Sequence, residues 1–213
     1  MSIDVKICGL KTPEAIAAAV EGGAKMLGFV FFEKSPRNVT RDTARALLEH
    51  VPEGVTKVAL LVNPSDDAAR IIARDLTFDM VQLHGPENPA RVAEIKAITE
   101  LAVMKAMGIA GVDDIARAHD YEGVADRILL DAKPPENAAL PGGNALSFDW
   151  NLIAGENWKK PWMLAGGLNA QNLAEAVKTS GATFVDVSSG VEDAPGRKSS
   201  AKIREFLELA QSL

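Results

Sequence analysis

A repeated rhythm constrains this chain more than any other feature. Short apolar runs rich in β-branched residues alternate with longer, alanine-rich amphipathic stretches along the whole sequence. Strand-like runs lie near Ile3–Cys8, Met26–Phe32, Val55–Val62, Met80–His84, Leu101–Met107, Arg127–Asp131, Trp162–Ala165 and Thr183–Ser188. Helix-like stretches lie between them, near Pro13–Glu21, Arg41–His50, Ser65–Asp75, Pro89–Ile98, Val112–His119, Asn169–Thr179 and Ser200–Gln211. Thr12-Pro13, Asn63-Pro64-Ser65 and Asn88-Pro89 supply helix-start chemistry at three of these.

Strands that alternate with helices in this way must be parallel, with each helix serving as a crossover. Eight such units in 213 residues predict one α/β domain over residues 1–213, a (βα)8 TIM barrel at the small end of its size range. A doubly wound open sheet is the structural alternative. No G-x-G-x-x-G follows the first strand, which weakens the dinucleotide-binding form of that fold. The rhythm breaks once, after the sixth strand. There Lys133–Gly143 is rich in Pro, Gly and Asn, and only a short helix candidate, Phe148–Ala154, follows. In a barrel this stretch is a long loop at the strand's C-terminal end, where such folds keep their chemistry.

Composition narrows the function classes. Net charge is −6 with the two signs interleaved, so neither nucleic acid nor an anionic membrane is an expected partner. No apolar run approaches the roughly 20 residues that span a bilayer, and the first residues do not read as a signal peptide. The single cysteine, Cys8, permits no internal disulfide and fits a reducing, cytoplasmic setting. A cysteine-rich zinc site is excluded by the same count.

Strand parity then selects the polar residues that share the barrel interior. In the first strand Ile3, Val5 and Ile7 face the helices, while Asp4, Lys6 and Cys8 face inward. The same rule turns Gln82 and His84 inward on the fourth strand, Leu129 and Asp131 on the sixth, and Asp186 and Ser188 on the eighth. Cys8, His84 and Asp131 end their strands and therefore converge on one rim. Gly166 and Gly167 after strand seven, with Ser188, Ser189 and Gly190 after strand eight, form the loops where barrels commonly bind phosphate through backbone N–H groups.

These pieces, in this order, resemble phosphoribosylanthranilate isomerases along the whole chain. The resemblance rests on Lys6-Ile7-Cys8-Gly9; on Gly28-Phe29-Val30-Phe31-Phe32 followed by Ser35-Pro36-Arg37; and on Val81-Gln82-Leu83-His84-Gly85. It continues with Leu129-Leu130-Asp131-Ala132, Leu164-Ala165-Gly166-Gly167-Leu168 and Asp186-Val187-Ser188-Ser189-Gly190-Val191-Glu192, then Pro195-Gly196 and Lys198. One departure stands out. The family usually carries Gly-Gly-Thr-Gly before a Phe-x-Trp, whereas here Gly142-Gly143-Asn144-Ala145 precedes Phe148-Asp149-Trp150. Ala145 resists the positive φ that a glycine there would adopt freely.

The resemblance implies an isomerase of tryptophan biosynthesis, needing no metal or cofactor. Its reaction is the Amadori rearrangement of N-(5'-phosphoribosyl)anthranilate to 1-(2-carboxyphenylamino)-1-deoxyribulose 5-phosphate. By the same resemblance Asp131 is the general acid and Cys8 the general base, with Lys6 favouring the thiolate while Asp4 and Asp186 compete for its charge. Arg37 offers a guanidinium fork to the anthranilate carboxylate, and His84 and Asp186 are further substrate-binding residues. The expected partner is a small phosphorylated substrate, and the expected state is monomer or homodimer. Two alternatives remain open at this point: a related aminoribosyl-phosphate isomerase of histidine biosynthesis, and a non-catalytic phosphate-binding barrel.

Overall fold

The computed structural model describes residues 2–135 and 140–213. Residues 136–139, inside the Lys133–Gly143 loop, lie outside the described residues. Eight strands form the sheet: β1 (Asp4–Cys8), β2 (Met26–Phe31), β3 (Thr56–Leu61), β4 (Met80–Leu83), β5 (Ala102–Ile109), β6 (Arg127–Ala132), β7 (Trp162–Leu164) and β8 (Phe184–Val187). They close in sequence order into a barrel, and β1 pairs in parallel with both β2 and β8. The helices are α1 (Pro13–Glu21), α2 (Arg41–Leu48), α3 (Asp66–Asp75), α4 (Pro89–Thr99), α5 (Val112–His119), α6 (Leu173–Ser180) and α7 (Ser200–Ser212). A 3₁₀ turn at Trp150–Ile153 stands where the sequence suggested a short helix.

Local chemistry starts the helices where the sequence placed them. The hydroxyls of Thr12, Thr40 and Ser65 and the amide oxygen of Asn88 accept the N–H three residues on, at α1 to α4. The exception is α6, expected from Asn169 but starting at Leu173. Asn169 Oδ1 accepts from the amides of Gln171 and Asn172, and Asn172 Oδ1 accepts from the amide of Asn169. These bonds hold a turn that delays the helix.

Parity divides the strand side chains into two compartments. Ile7, Leu27, Val81, Leu83 and Ile128 point outward and pack with Ile16, Ile95 and Phe206 of the helices into one continuous core. Burying each of these large side chains contributes about 1.5–3 kcal/mol. Inside the barrel, Met26, Val58, Met80, Met104, Leu129 and Met163 form an apolar floor. Above it Lys6 and Gln82 are fully buried and Asp186 nearly so. Cys8, Val30 and Leu60 come next, toward the C-terminal ends of the strands. The interior is thus dry at one end and polar toward the other, which sets the site at the rim.

Candidate active site

At the β1–β8 seam Lys6 and Asp186 are register partners. The Lys6 ammonium donates to Asp186 Oδ1 at 2.7 Å, with both side chains enclosed. Two residues above Lys6, the Cys8 thiol is also buried. Burial pushes this thiol up from its ordinary value; Lys6 pulls it down, Asp186 pushes it up, and Lys198 pulls it down. Lys6 therefore favours the thiolate in sign, as the sequence suggested, but burial outweighs it. Gly28 on β2 is what makes the space: a Cβ there would lie 2.8 Å from the Cys8 sulfur and 3.2 Å from the Lys6 nitrogen.

Across the rim Asp131 follows the interior Leu129 on β6 and is buried. Its Oδ1 accepts the Ala132 amide at 2.8 Å, and its Oδ2 lies 3.3 Å from His84 Nε2. The other ring nitrogen, His84 Nδ1, is 3.1 Å from the side-chain nitrogen of Gln82. The loop after β6 crosses directly above: a Cβ on Gly142 would sit 2.6 Å from His84 Nε2 and 2.7 Å from Asp131 Oδ2. From behind, the loop carrying His84 is pinned by Lys105 and Glu87. Lys105 donates to the Gly85 carbonyl at 2.6 Å and to Glu87 Oε2 at 2.9 Å, and Glu87 accepts the amides of Asn63 and Gly85.

Arg37 sits in the loop after β2 and is less available than the free guanidinium fork that the resemblance implied. It is buried, and its Nε and Nη2 bind the two carboxylate oxygens of Glu192 at 2.8 and 2.9 Å. Nη2 also reaches the Gly143 carbonyl at 3.3 Å. The remaining nitrogen, Nη1, lies against Gly143, where a Cβ would stand 2.5 Å from it. Glu192 opens a short hairpin, β9 (Glu192–Ala194) and β10 (Arg197–Lys198), that the sequence did not announce. Lys198 completes the clamp, donating to Glu192 Oε1 at 2.7 Å and to the Ser188 carbonyl at 2.8 Å. Burial opposes the Glu192 charge, yet Arg37 and Lys198 together hold its carboxyl below the usual range.

The loops after β7 and β8 lie together, as the topology demands. Gly166 and Gly167 both have positive φ, and their amides donate to no acceptor among the described residues. A Cβ on Gly167 would come within 2.8 Å of the Leu146 backbone, so the β6 loop rests on this turn. Gly190 packs so closely on the Leu168 carbonyl that no side chain fits. Ser188 is engaged otherwise: its hydroxyl donates to the Cys8 carbonyl at 3.1 Å and accepts from Lys198 at 3.2 Å. One pocket joins most of these groups, with Cys8, Asp131, Arg37, Gly167 and Ser189 on its wall and Val30 and Leu60 as an apolar side, while Lys6, Gly190, Glu192 and Lys198 lie behind its lining.

The whole arrangement has close counterparts among known proteins. The family described as N-(5'phosphoribosyl)anthranilate (PRA) isomerase matches residues 5–209. The chain belongs to this family. Curated N-(5'-phosphoribosyl)anthranilate isomerases of Rhodospirillum centenum and Paracoccus denitrificans are 53% and 54% identical to it; the first alignment covers 100% of both chains, the second 99% of this chain and 98% of the relative. The phosphoribosyl anthranilate isomerase of Thermotoga maritima superposes with a TM-score of 0.88 at 35% identity, covering 99% of this chain and 100% of that one. A further solved isomerase of this family, in complex with reduced 1-(o-carboxyphenylamino)-1-deoxyribulose 5-phosphate, superposes at 0.84 with 33% identity and the same coverage. The (βα)8 fold is shared throughout. Within this family frame, the sequence did not reveal the tie of Glu192 to Arg37 and Lys198. The motif Ser188-Ser189-Gly190-Val191-Glu192 carried the residue, but not its role.

Proposed function

We propose that this barrel isomerises N-(5'-phosphoribosyl)anthranilate to the corresponding 1-deoxyribulose 5-phosphate, with Asp131 as acid and Cys8 as base. Phosphate rests on the amides of Gly166, Gly167, Ser189 and Gly190, where close backbone approach favours an anion. The anthranilate ring lies on the apolar wall of Val30 and Leu60, and its carboxylate meets the Arg37 guanidinium on the same pocket. Asp186 orients the ribose between acid and base, and His84 lines the substrate pocket beside Asp131.

Asp131 gives its proton to the furanose ring oxygen as the bond from that oxygen to C1' breaks, leaving a protonated Schiff base. The Cys8 thiolate takes the proton from C2', and the freed electron pair forms the C1'–C2' double bond of an enolamine. Proton gain at C1' and loss from the C2' hydroxyl give the ketone. Only the thiolate acts, so its small fraction at neutral pH sets part of the rate. A reducing cytoplasm suits this chemistry, because oxidation of Cys8 removes the base.

The observation that carries the proposal is the placement of Cys8 and Asp131 on one pocket wall beside the glycine-rich loops of β7 and β8. Loss of substrate fluorescence tests it. Cys8→Ser and Asp131→Asn should each lose most of kcat while keeping the wild-type melting curve. Near wild-type turnover in Cys8→Ala would overturn the base assignment, and in Asp131→Asn the acid; no turnover by the wild type would return the chain to the reading of a non-catalytic phosphate-binding barrel.

A further inference from the structure

Gln82 has no part in the chemistry above, yet it is the most costly polar residue in the barrel to leave unexplained. It is fully buried, and its register partners on β3 and β5 are the apolar Leu60 and Met104. Its side-chain nitrogen faces His84 Nδ1 at 3.1 Å, and its oxygen has no hydrogen-bond partner among the described residues. An amide placed in such surroundings must do something that a leucine would not.

We infer that Gln82 is a positioning residue: its amide N–H donates to His84 Nδ1 and so fixes the ring in the tautomer with Nε2 protonated, aimed at Asp131. The turned-over amide would put its oxygen at Nδ1 and leave both N–H groups in the apolar layer. An orphaned carbonyl is the more tolerable of the two. With Nδ1 occupied as an acceptor, the only ring hydrogen is on Nε2, 3.3 Å from Asp131 Oδ2. When Asp131 releases its proton, the new carboxylate then finds two donors in place, His84 Nε2–H and the Ala132 amide. Such bonds strengthen as charge develops, so they favour the transition state over the bound substrate. The opposite tautomer would turn a lone pair toward the same carboxylate and hinder proton release.

This inference rests on Asp131 as the acid, but its test does not. Long-range ¹⁵N–¹H spectra of the imidazole rings read the tautomer without substrate, and the chain has only three histidines to resolve, with a His84→Asn sample assigning the relevant ring. Wild type should show a single neutral tautomer at His84 with Nε2 protonated, and Gln82→Met should show a mixture of both. In turnover, Gln82→Met should lower kcat by about tenfold, the equivalent of one charge-assisted bond, with KM within about twofold. An Nδ1-protonated or doubly protonated ring at His84 in the wild type overturns the inference whether or not the variant folds. An unchanged tautomer in a folded Gln82→Met overturns it equally. Loss of Asp131→Asn activity with either of those spectra would leave the acid standing and remove Gln82 from the mechanism.

Discussion

Arg37 and Glu192, separated by 155 positions, meet as a forked pair, with Nε on one carboxylate oxygen at 2.8 Å and Nη2 on the other at 2.9 Å. Lys198 adds a second cation to the same carboxylate at 2.7 Å. Two positive side chains thus share one enclosed negative one, and of the two cations Arg37 lines the pocket. That local excess of positive charge suits a substrate bearing a phosphate and a carboxylate, in a protein whose overall charge is −6.

Glu192→Gln should therefore damage both stability and binding. Removing one partner of a buried ion pair costs about 3–5 kcal/mol, and two cations are then left facing each other. Because the folded carboxyl lies below 4.5, its stabilising contribution is present at neutral pH and lost as pH falls through the folded value. The stability gap between wild type and variant, measured by urea titration, should narrow toward acid pH. KM should rise more than kcat falls, since Arg37 loses its fixed aim. A gap that widens in acid would refute the ion-pair account.

Cys8 makes a prediction about rate. Its thiol is displaced upward, chiefly by burial, so the thiolate fraction grows about tenfold per pH unit across the neutral range. The C2' proton-abstraction step should accelerate accordingly from about pH 6.5 to pH 8.5. Absorbance near 240 nm reads the same ionisation directly, because no other cysteine is present. A thiolate already formed at pH 7 would contradict the burial argument.

Gly167→Val tests the phosphate loops. The residue has a φ of 63°, and the Leu146 carbonyl carbon and oxygen both lie 2.8 Å from where a Cβ would stand. A β-branched side chain must push the β6 loop off this turn, so the effect will not be confined to the anion. KM for the phosphorylated substrate should rise steeply, and inorganic phosphate should cease to compete with it. An unchanged KM would move the phosphate site elsewhere on the rim.

Ala145 carries a strain that glycine would relieve. It stands where the family resemblance implies glycine, and it has a left-handed φ of 56°. That conformation costs a non-glycine residue about 1 kcal/mol, partly offset by the added freedom glycine gives the unfolded chain. Ala145→Gly should leave stability equal or raise it by up to about 1 kcal/mol in urea titration. A clear loss of stability would mean that the alanine methyl makes a contact worth more than the strain.

The sequence made the barrel legible because both of its signals are local. Alternation at period two sorted Ile7 from Lys6 and Leu83 from Gln82, and each lies in the expected compartment. Capping chemistry at Thr12 and Asn88 likewise needs only three residues of context. What stayed hidden depends on distant neighbours. The β9–β10 hairpin has strands of three and two residues, too short to show any period. Arg37 reads as a free fork for a carboxylate ligand until Glu192 is brought beside it. The start of α6 slipped because Asn169 and Asn172 satisfy each other's backbone groups, a preference invisible in apolar spacing.

The bond between Lys6 and Asp186 joins groups 180 positions apart across the seam where first strand meets last. During synthesis Lys6 therefore emerges long before its counter-ion exists. Until β8 is made, the first strand cannot enter a dry interior without carrying an uncompensated cation. A truncated chain lacking β8, or one half of the barrel made alone, should keep that strand wet and its ends unjoined. The native pairing of that buried cation is therefore available only to a ring that has closed.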